Sequence, residues 1–257
     1  MNHIKIVFFD IDGTLVKLGA PDLSEKTVDA LRRLREKGIK LCIATGRSPN
    51  ILPRLSVEFD AFLTFNGSLC YAGNETIHSN PIPYESVLQL VRNGTDRGKP
   101  VCVATGKRHA ANGWEQDLSD YYEVANLVLT VTEDFDEACK EDVYQVMLSA
   151  RETDPTTVAD GVPGVKAVFS WPRAVDVIPA DSGKEVGIHK ILEYFGIPVS
   201  QSLAFGDGNN DISMLQTVGT GVAMGNATDR LKAVADDICG TAAEDGIYYY
   251  CLEKGLI

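Results

Sequence analysis

Asp10 and Asp12 stand two residues apart at the end of a short apolar run, Ile4 to Phe9, and Gly13 follows directly. In extended backbone that spacing turns both carboxylates to the same side, and glycine lets the chain leave sharply. Two more acids, Asp207 and Asp211, lie in Gly206-Asp207-Gly208-Asn209-Asn210-Asp211, just after another apolar triplet, Leu203-Ala204-Phe205. Gathered in one crevice, such like charges cost several kcal/mol unless they are protonated, paired or bound to a cation. An all-oxygen set with no His or Cys beside it selects a hard ion, and a few carboxylates completed by water and a phosphate group suit Mg²⁺. The sequence therefore predicts a magnesium site on Asp10, Asp12, Asp207 and Asp211.

The neighbouring polar residues suit an anion. Thr14, Asn210 and the Thr45-Gly46-Arg47 loop offer hydrogen-bond donors to phosphate oxygens, and Lys184 offers a mobile positive charge. Acids on a metal beside donors for an anion fit phosphoryl transfer, in which the cation and the lysine neutralise charge on the transferring group. Asp10 is then placed to attack phosphorus and form an aspartyl-phosphate. Asp12 can protonate the leaving alcohol and later deprotonate water. Plainer roles also exist: Thr45 could cap a turn, Lys184 could be solvated at a helix start, Asp211 could cap a helix, and Arg47 could pair with surface acids.

These side chains need a scaffold that brings three polar loops to one edge. Ile4 to Phe9 reads as a buried strand. A helix follows, capped by Ser24, favoured by Glu25 in its first turn, faced by Val28, Leu31 and Leu34, and ended by Gly38. Ile39 to Ala44 is a second buried strand, and strand, helix, strand at this spacing implies parallel pairing with a right-handed crossover. Ala61 to Phe65 is a third, running into Asn66-Gly67, a hairpin-type turn. The alternation returns near the C-terminus: a helical stripe of Ile188, Ile191, Leu192 and Phe195, the strand Leu203 to Phe205, a helix, a short run from Gly221 to Met224, and a helix capped by Asn226. In open parallel sheets, ligands bind outside the carboxyl ends of the strands, where these loops fall.

Between Pro81 and Ala180 the pattern changes. Residues 82–181 carry 9 basic and 17 acidic side chains, and they read as a separate α+β module spliced into a doubly wound domain formed by 1–81 and 182–257. Its expected elements are a helix over Tyr84–Asp96 and strands over Val101–Thr105, Leu127–Val131, Val143–Leu148 and Val165–Phe169. Lys107-Arg108-His109 reads as a solvated basic loop.

The sequence resembles the haloacid dehalogenase superfamily. Phe-Phe-Asp-Ile-Asp-Gly-Thr-Leu at 8–15, Ala-Thr-Gly-Arg at 44–47, Lys184 ahead of a helix, and Gly-Asp-Gly-Asn-Asn-Asp at 206–211 followed by Gly-Val-Ala-Met-Gly-Asn-Ala at 221–227 look like its four motifs, in order. The insert between the second and third motifs resembles that of the Cof-type, class IIB sugar-phosphate phosphatases. The resemblance implies a Rossmann-like α/β core with an inserted cap of the C2B type that closes over the site. It also implies that Asp10 is the nucleophile and that Asp12 is the general acid/base, with its backbone carbonyl on Mg²⁺. By the same resemblance Thr45 and Lys184 hold the phosphoryl group, Asp207 ligates the metal, Asn210 contacts phosphate and Asp211 supports the metal shell. The expected activity is Mg²⁺-dependent hydrolysis of small phosphorylated metabolites, sugar phosphates foremost.

Composition narrows the alternatives. The 257 residues carry a formal net charge of −12, which argues against nucleic acid as a partner. The first apolar run is too short for a signal-peptide core or a membrane span, so a cytoplasmic protein without a membrane partner is expected. The six cysteines are scattered and expected to be reduced. Asn-x-Ser/Thr triplets at Asn66, Asn74, Asn93 and Asn226 read as chance matches. Rivals are a phosphomutase using the same Asp10 and Asp12, and a non-enzymatic sensor of phosphorylated metabolites. A monomer or weak homo-oligomer is expected, and the acidic first turn lacks the Gly-x-Gly-x-x-Gly of dinucleotide enzymes.

Overall fold

A computed structural model describes residues 3–20, 22–124 and 127–257. The chain divides into two compact units, one of Met1–Gly46, Pro53–His78 and Gly183–Ile257, the other of Arg47–Leu52 and Ser79–Ser182.

The first unit opens with β1 (Ile6–Phe9), whose four apolar residues are all fully buried. Helix α1 (Glu25–Glu36) starts where the Ser24 hydroxyl accepts the Thr27 N–H at 3.1 Å. It carries Glu25 in its first turn and Arg33 and Arg35 in its last, matching the helix dipole at both ends. Its buried stripe is Thr27, Ala30, Leu31 and Leu34; Val28, expected on that face, is only half-buried. The chain continues through β2 (Lys40–Ala44) and β3 (Ala61–Thr64) to an antiparallel extension, β4 (Leu69–Ala72) and β5 (Glu75–Ser79).

The second unit contains α2 (Tyr84–Asp96), β6 (Cys102–Thr105), β7 (His109–Ala111), α3 (Gln116–Val124), α4 (Phe135–Ala138), β8 (Val143–Ser149), β9 (Val165–Trp171) and β10 (Ala174–Pro179). Its five strands pair antiparallel in the order β7-β6-β8-β10-β9. Val87 and Leu90 of α2 bury against a core that includes Val103, Val146, Leu148 and Val177. At roughly 1.5–3 kcal/mol for each large apolar side chain withdrawn from water, this layer holds the unit together.

Two expectations for this unit need correction, and one strand went unread. Leu127–Val131 is no strand: Val128 is 83% exposed, and a single bridge from Val131 to Ala111 is its sheet contact among the described residues. Apolar residues without a neighbour to cover them do not make a sheet element. Conversely, β10 was obscured by Asp176, a buried carboxylate in the middle of the strand that accepts the Tyr121 hydroxyl at 3.0 Å. The basic cluster is not a solvated loop either. The Arg108 guanidinium pairs with Glu141 (2.8 Å) and Asp134, while His109 lies in β7, its imidazole nitrogens 2.7 Å from the Ser48 hydroxyl and 2.8 Å from the Tyr122 hydroxyl.

The first unit resumes with α5 (Lys184–Phe195), β11 (Ser202–Gly206), α6 (Ile212–Thr217), β12 (Thr220–Ala223), α7 (Asp229–Lys232), β13 (Asp237–Ile238) and α8 (Gly246–Glu253). Its sheet runs β13-β12-β11-β1-β2-β3-β4-β5, with every pair from β13 to β3 parallel. This is the doubly wound α/β core expected. The central register sets Phe9 beside Phe205, rings stacked at 5.6 Å, so β1 and β11 end side by side. Helix α7 is capped by Thr228, whose hydroxyl accepts the Leu231 N–H, rather than by Asn226. Among the described residues no helix is long and apolar enough to cross a membrane.

Candidate active site

Because β1, β2 and β11 are parallel neighbours, their carboxyl ends deliver Asp10, Thr45 and Asp207 to one edge of the sheet. Carboxylate oxygens of Asp10, Asp207 and Asp211 all lie within 4.8 Å of one another. The Asp12 side chain is not part of that cluster. Its segment instead folds back on itself: Val16 N–H reaches Ile11 C=O at 2.8 Å, and Gly13 N–H reaches Val16 C=O at 2.8 Å.

Lys184, fully buried at the first position of α5, holds the acids together. Its Nζ donates to Asp10 Oδ1 at 2.9 Å and to Asp211 Oδ1 at 2.5 Å. The other oxygen of Asp211 accepts the Asp207 and Gly208 N–H groups at 2.9 and 3.0 Å. Asp211 ties the 207–208 turn to Lys184, and it makes no side-chain cap to the helix that follows. Asp207 Oδ1 accepts the Thr14 hydroxyl at 3.1 Å. Gly13, at φ +83, passes so close that a Cβ there would lie 2.2 Å from Asp207 Oδ2, and no side chain fits.

One ammonium does not neutralise three clustered carboxylates, two of them buried. Burial, together with Asp211 and Asp207, pushes the Asp10 carboxyl well above the usual range, though Lys184 pulls against it. Burial and Asp211 push Asp207 up to about 7. Burial would depress Lys184, but Asp10 and Asp211 outweigh it and keep the ammonium charged. The residual negative charge and the all-oxygen donor set suit a hard divalent cation.

Thr45 is buried, and Asn210 is half-buried. The amide of Asn210 donates to Asn66 Oδ1 at 3.3 Å. Arg47 falls in the segment grouped with the second unit, where its guanidinium donates to the Ile51 carbonyl at 3.2 Å.

Two residues in this architecture escaped the sequence reading. Asn226 donates from Nδ2 to the Gly13 carbonyl (2.8 Å) and to Asp207 Oδ2 (3.3 Å), joining the first and last acidic loops. Its place in Gly-Val-Ala-Met-Gly-Asn-Ala was the available signal, spent on a helix cap. Asn66 sits in the hairpin loop that joins β3 to β4, as expected, but the loop is left-handed, with Phe65 and Asn66 at φ 51 and Gly67 at φ 98. An aromatic residue in that region is strained by about 1–2 kcal/mol. The turn is held by Asn66 N–H on the Thr45 carbonyl (3.0 Å) and by Gly67, where a Cβ would meet Gly183 O at 2.1 Å.

A buried lysine clasping two of three clustered carboxylates, at the carboxyl edge of a parallel sheet with hydroxyl and amide donors beside it, defines a hydrolase centre of the phosphoryl-transfer class. A model of the haloacid dehalogenase-like hydrolases matches residues 7–251, and the chain belongs to that family and is one of its phosphatases. It is 31% identical over 262 residues to YkrA of Bacillus subtilis strain 168, covering 98% of each chain. It is 28% identical to the 5-amino-6-(5-phospho-D-ribitylamino)uracil phosphatase YitU of the same organism, covering 96% of each. Among solved structures it is similar to the HAD subclass IIB sugar phosphatase BT4131, with 32% identity and a TM-score of 0.89 over 98% of this chain and 100% of that one.

Proposed function

We propose that the protein is a Mg²⁺-dependent phosphatase of small phosphorylated metabolites, sugar phosphates foremost, acting through an aspartyl-phosphate on Asp10. Residues 1–81 and 182–257 form the catalytic core and 82–181 the specificity-setting insert. The observation that carries this reading is the buried Asp10–Lys184–Asp211 clasp beside Asp207. Asp10, Asp207 and the Asp12 backbone would hold the cation, which neutralises the surplus carboxylate charge and polarises the phosphoryl group when bound.

In the first half-reaction an Asp10 oxygen forms a bond to phosphorus as the bond to the alcohol oxygen breaks, and Asp12 gives that oxygen its proton. Lys184 and Thr45 steady the charge spread over the transferring oxygens. In the second half, Asp12 takes a proton from water, the water oxygen bonds to phosphorus, and the bond to Asp10 breaks, releasing inorganic phosphate. Asp211 keeps the lysine and the 206–211 loop in register throughout. Support for a sugar-phosphate substrate comes from the likeness to BT4131, and YitU acts on a phosphorylated ribityl compound.

The test is a phosphate-release screen over hexose, pentose, polyol and aromatic phosphates, each with Mg²⁺ and with excess chelator. Turnover of polyol or sugar esters that vanishes in chelator and returns with Mg²⁺ is expected. Full activity in chelator would reject the metal assignment, and turnover confined to aromatic esters would reject the substrate class.

A further inference from the structure

Asn66 is 3% exposed, and its Nδ2 has no hydrogen-bond partner among the described residues. A buried amide N–H₂ without an acceptor is costly and rare, so its surroundings indicate what it awaits. Its own Oδ1 is engaged by Asn210 at 3.3 Å. Its backbone N–H is fixed on the Thr45 carbonyl at 3.0 Å. A Cβ on Gly46 would come within 3.1 Å of Nδ2, so the amide lies against the one stretch of this loop that carries no side chain. Thr45, Gly46 and Asn210 are the residues read from sequence as the phosphate cradle, and Asn66 stands among all three.

The turn that places it is strained, and strain of this kind persists where the surrounding structure fixes it. Here the fixing contacts are the Thr45 carbonyl and the Gly183 backbone next to Lys184. The turn therefore couples the β2 loop to the start of α5.

We propose that Asn66 is a phosphoryl-binding residue, its Nδ2 donating to a non-bridging oxygen of the phosphate ester and of the phosphate product, alongside Thr45 and Asn210. The inference rests on the phosphatase reading of the site. Its chemistry is specific: the partner must be an acceptor and is best an anion, since hydrogen bonds to charged groups are the strong ones.

Two variants separate this role from a structural one, because glycine and aspartate both tolerate the left-handed backbone at this position. Asn66→Gly deletes the amide. Asn66→Asp keeps an oxygen for Asn210 and replaces the donor by a negative oxygen. Binding of inorganic phosphate is measured calorimetrically on wild type and both variants in Mg²⁺, with thermal melts as the folding control and p-nitrophenyl phosphate turnover alongside. The expected result is phosphate affinity weakened about tenfold or more in Asn66→Gly and further in Asn66→Asp, at unchanged melting temperature. A purely structural role predicts the opposite order, with Asn66→Asp close to wild type, and that order would overturn the proposal. Wild-type affinity in Asn66→Gly would overturn it as well, leaving the phosphatase reading intact. Absence of phosphate binding by a wild type that turns nothing over would overturn both.

Discussion

Replacing Lys184 by methionine keeps the buried volume of the side chain and removes its charge. In the wild type this ammonium is fully buried, 2.9 Å from Asp10 and 2.5 Å from Asp211. Methionine leaves both carboxylates facing Asp207 without the ammonium that bridges them. Breaking a buried ion pair from one side costs about 3–5 kcal/mol. For a chain of this length, about 2 °C of melting temperature is lost per kcal/mol, so Lys184→Met is expected to melt about 6–10 °C below wild type in chelator. Mg²⁺ should recover more stability in the variant than in wild type, since it then stands in for the lost counter-charge. Asp211→Asn combined with Lys184→Met should melt above Lys184→Met alone, because one of the stranded charges is gone. Turnover should fall about a hundredfold or more, as for loss of a donor that steadies transition-state charge. The measurements are scanning calorimetry with and without Mg²⁺ and phosphate release. A Lys184→Met protein that melts within about 2 °C of wild type in chelator would refute the electrostatic reasoning.

Three further outcomes are expected. Loss of hydration holds the His109 imidazole down at about 4 against an ordinary 6.5. Both states are then neutral above about pH 6.5, and below it the unfolded chain takes up a proton the folded chain refuses. Stability should drop by about 2 kcal/mol between pH 7 and 5 from this group, and His109→Gln should flatten the melting-temperature profile by that amount; parallel profiles would contradict it. Gly67→Ala places a Cβ 2.1 Å from Gly183 O at φ 98, and should cost about 2–4 kcal/mol in denaturant unfolding together with most of the activity; a wild-type midpoint would count against the close approach. Asn226→Ala frees Gly13 and Asp207, and should raise the Mg²⁺ concentration for half-maximal activity about tenfold, an effect missing if that linkage is idle.

The acidic loops were legible because their residue types are unusual at strand ends and their spacing places them on one side of the chain. The parallel core followed from apolar runs alternating with capped helices, and α2 was readable to the residue because its buried stripe of Val87 and Leu90 keeps helical period. What escaped depended on partners far away in sequence. Asp176 is accommodated in a strand where Tyr121, 55 residues away, donates to its carboxylate, and Val128, 83% exposed, belongs to no sheet. His109 changed from solvated to enclosed through Ser48 and Tyr122, 61 and 13 residues away. Asn66-Gly67 carries the letters of a hairpin turn. It does close the β3–β4 hairpin, but its left-handed Phe65 depends on contacts with Thr45 and Gly183 that the local letters do not announce.

In the proposed reaction the Asp10 carboxylate itself receives the phosphoryl group. Asn in its place keeps the side chain's size and its hydrogen bond to Lys184 while removing the nucleophilic oxygen anion. Turnover of p-nitrophenyl phosphate by Asp10→Asn, measured in saturating Mg²⁺ on protein whose melt shows it folded, is expected to fall by about 10⁴-fold or more. Turnover within about tenfold of wild type would contradict the covalent route and return the acid cluster to a purely electrostatic role.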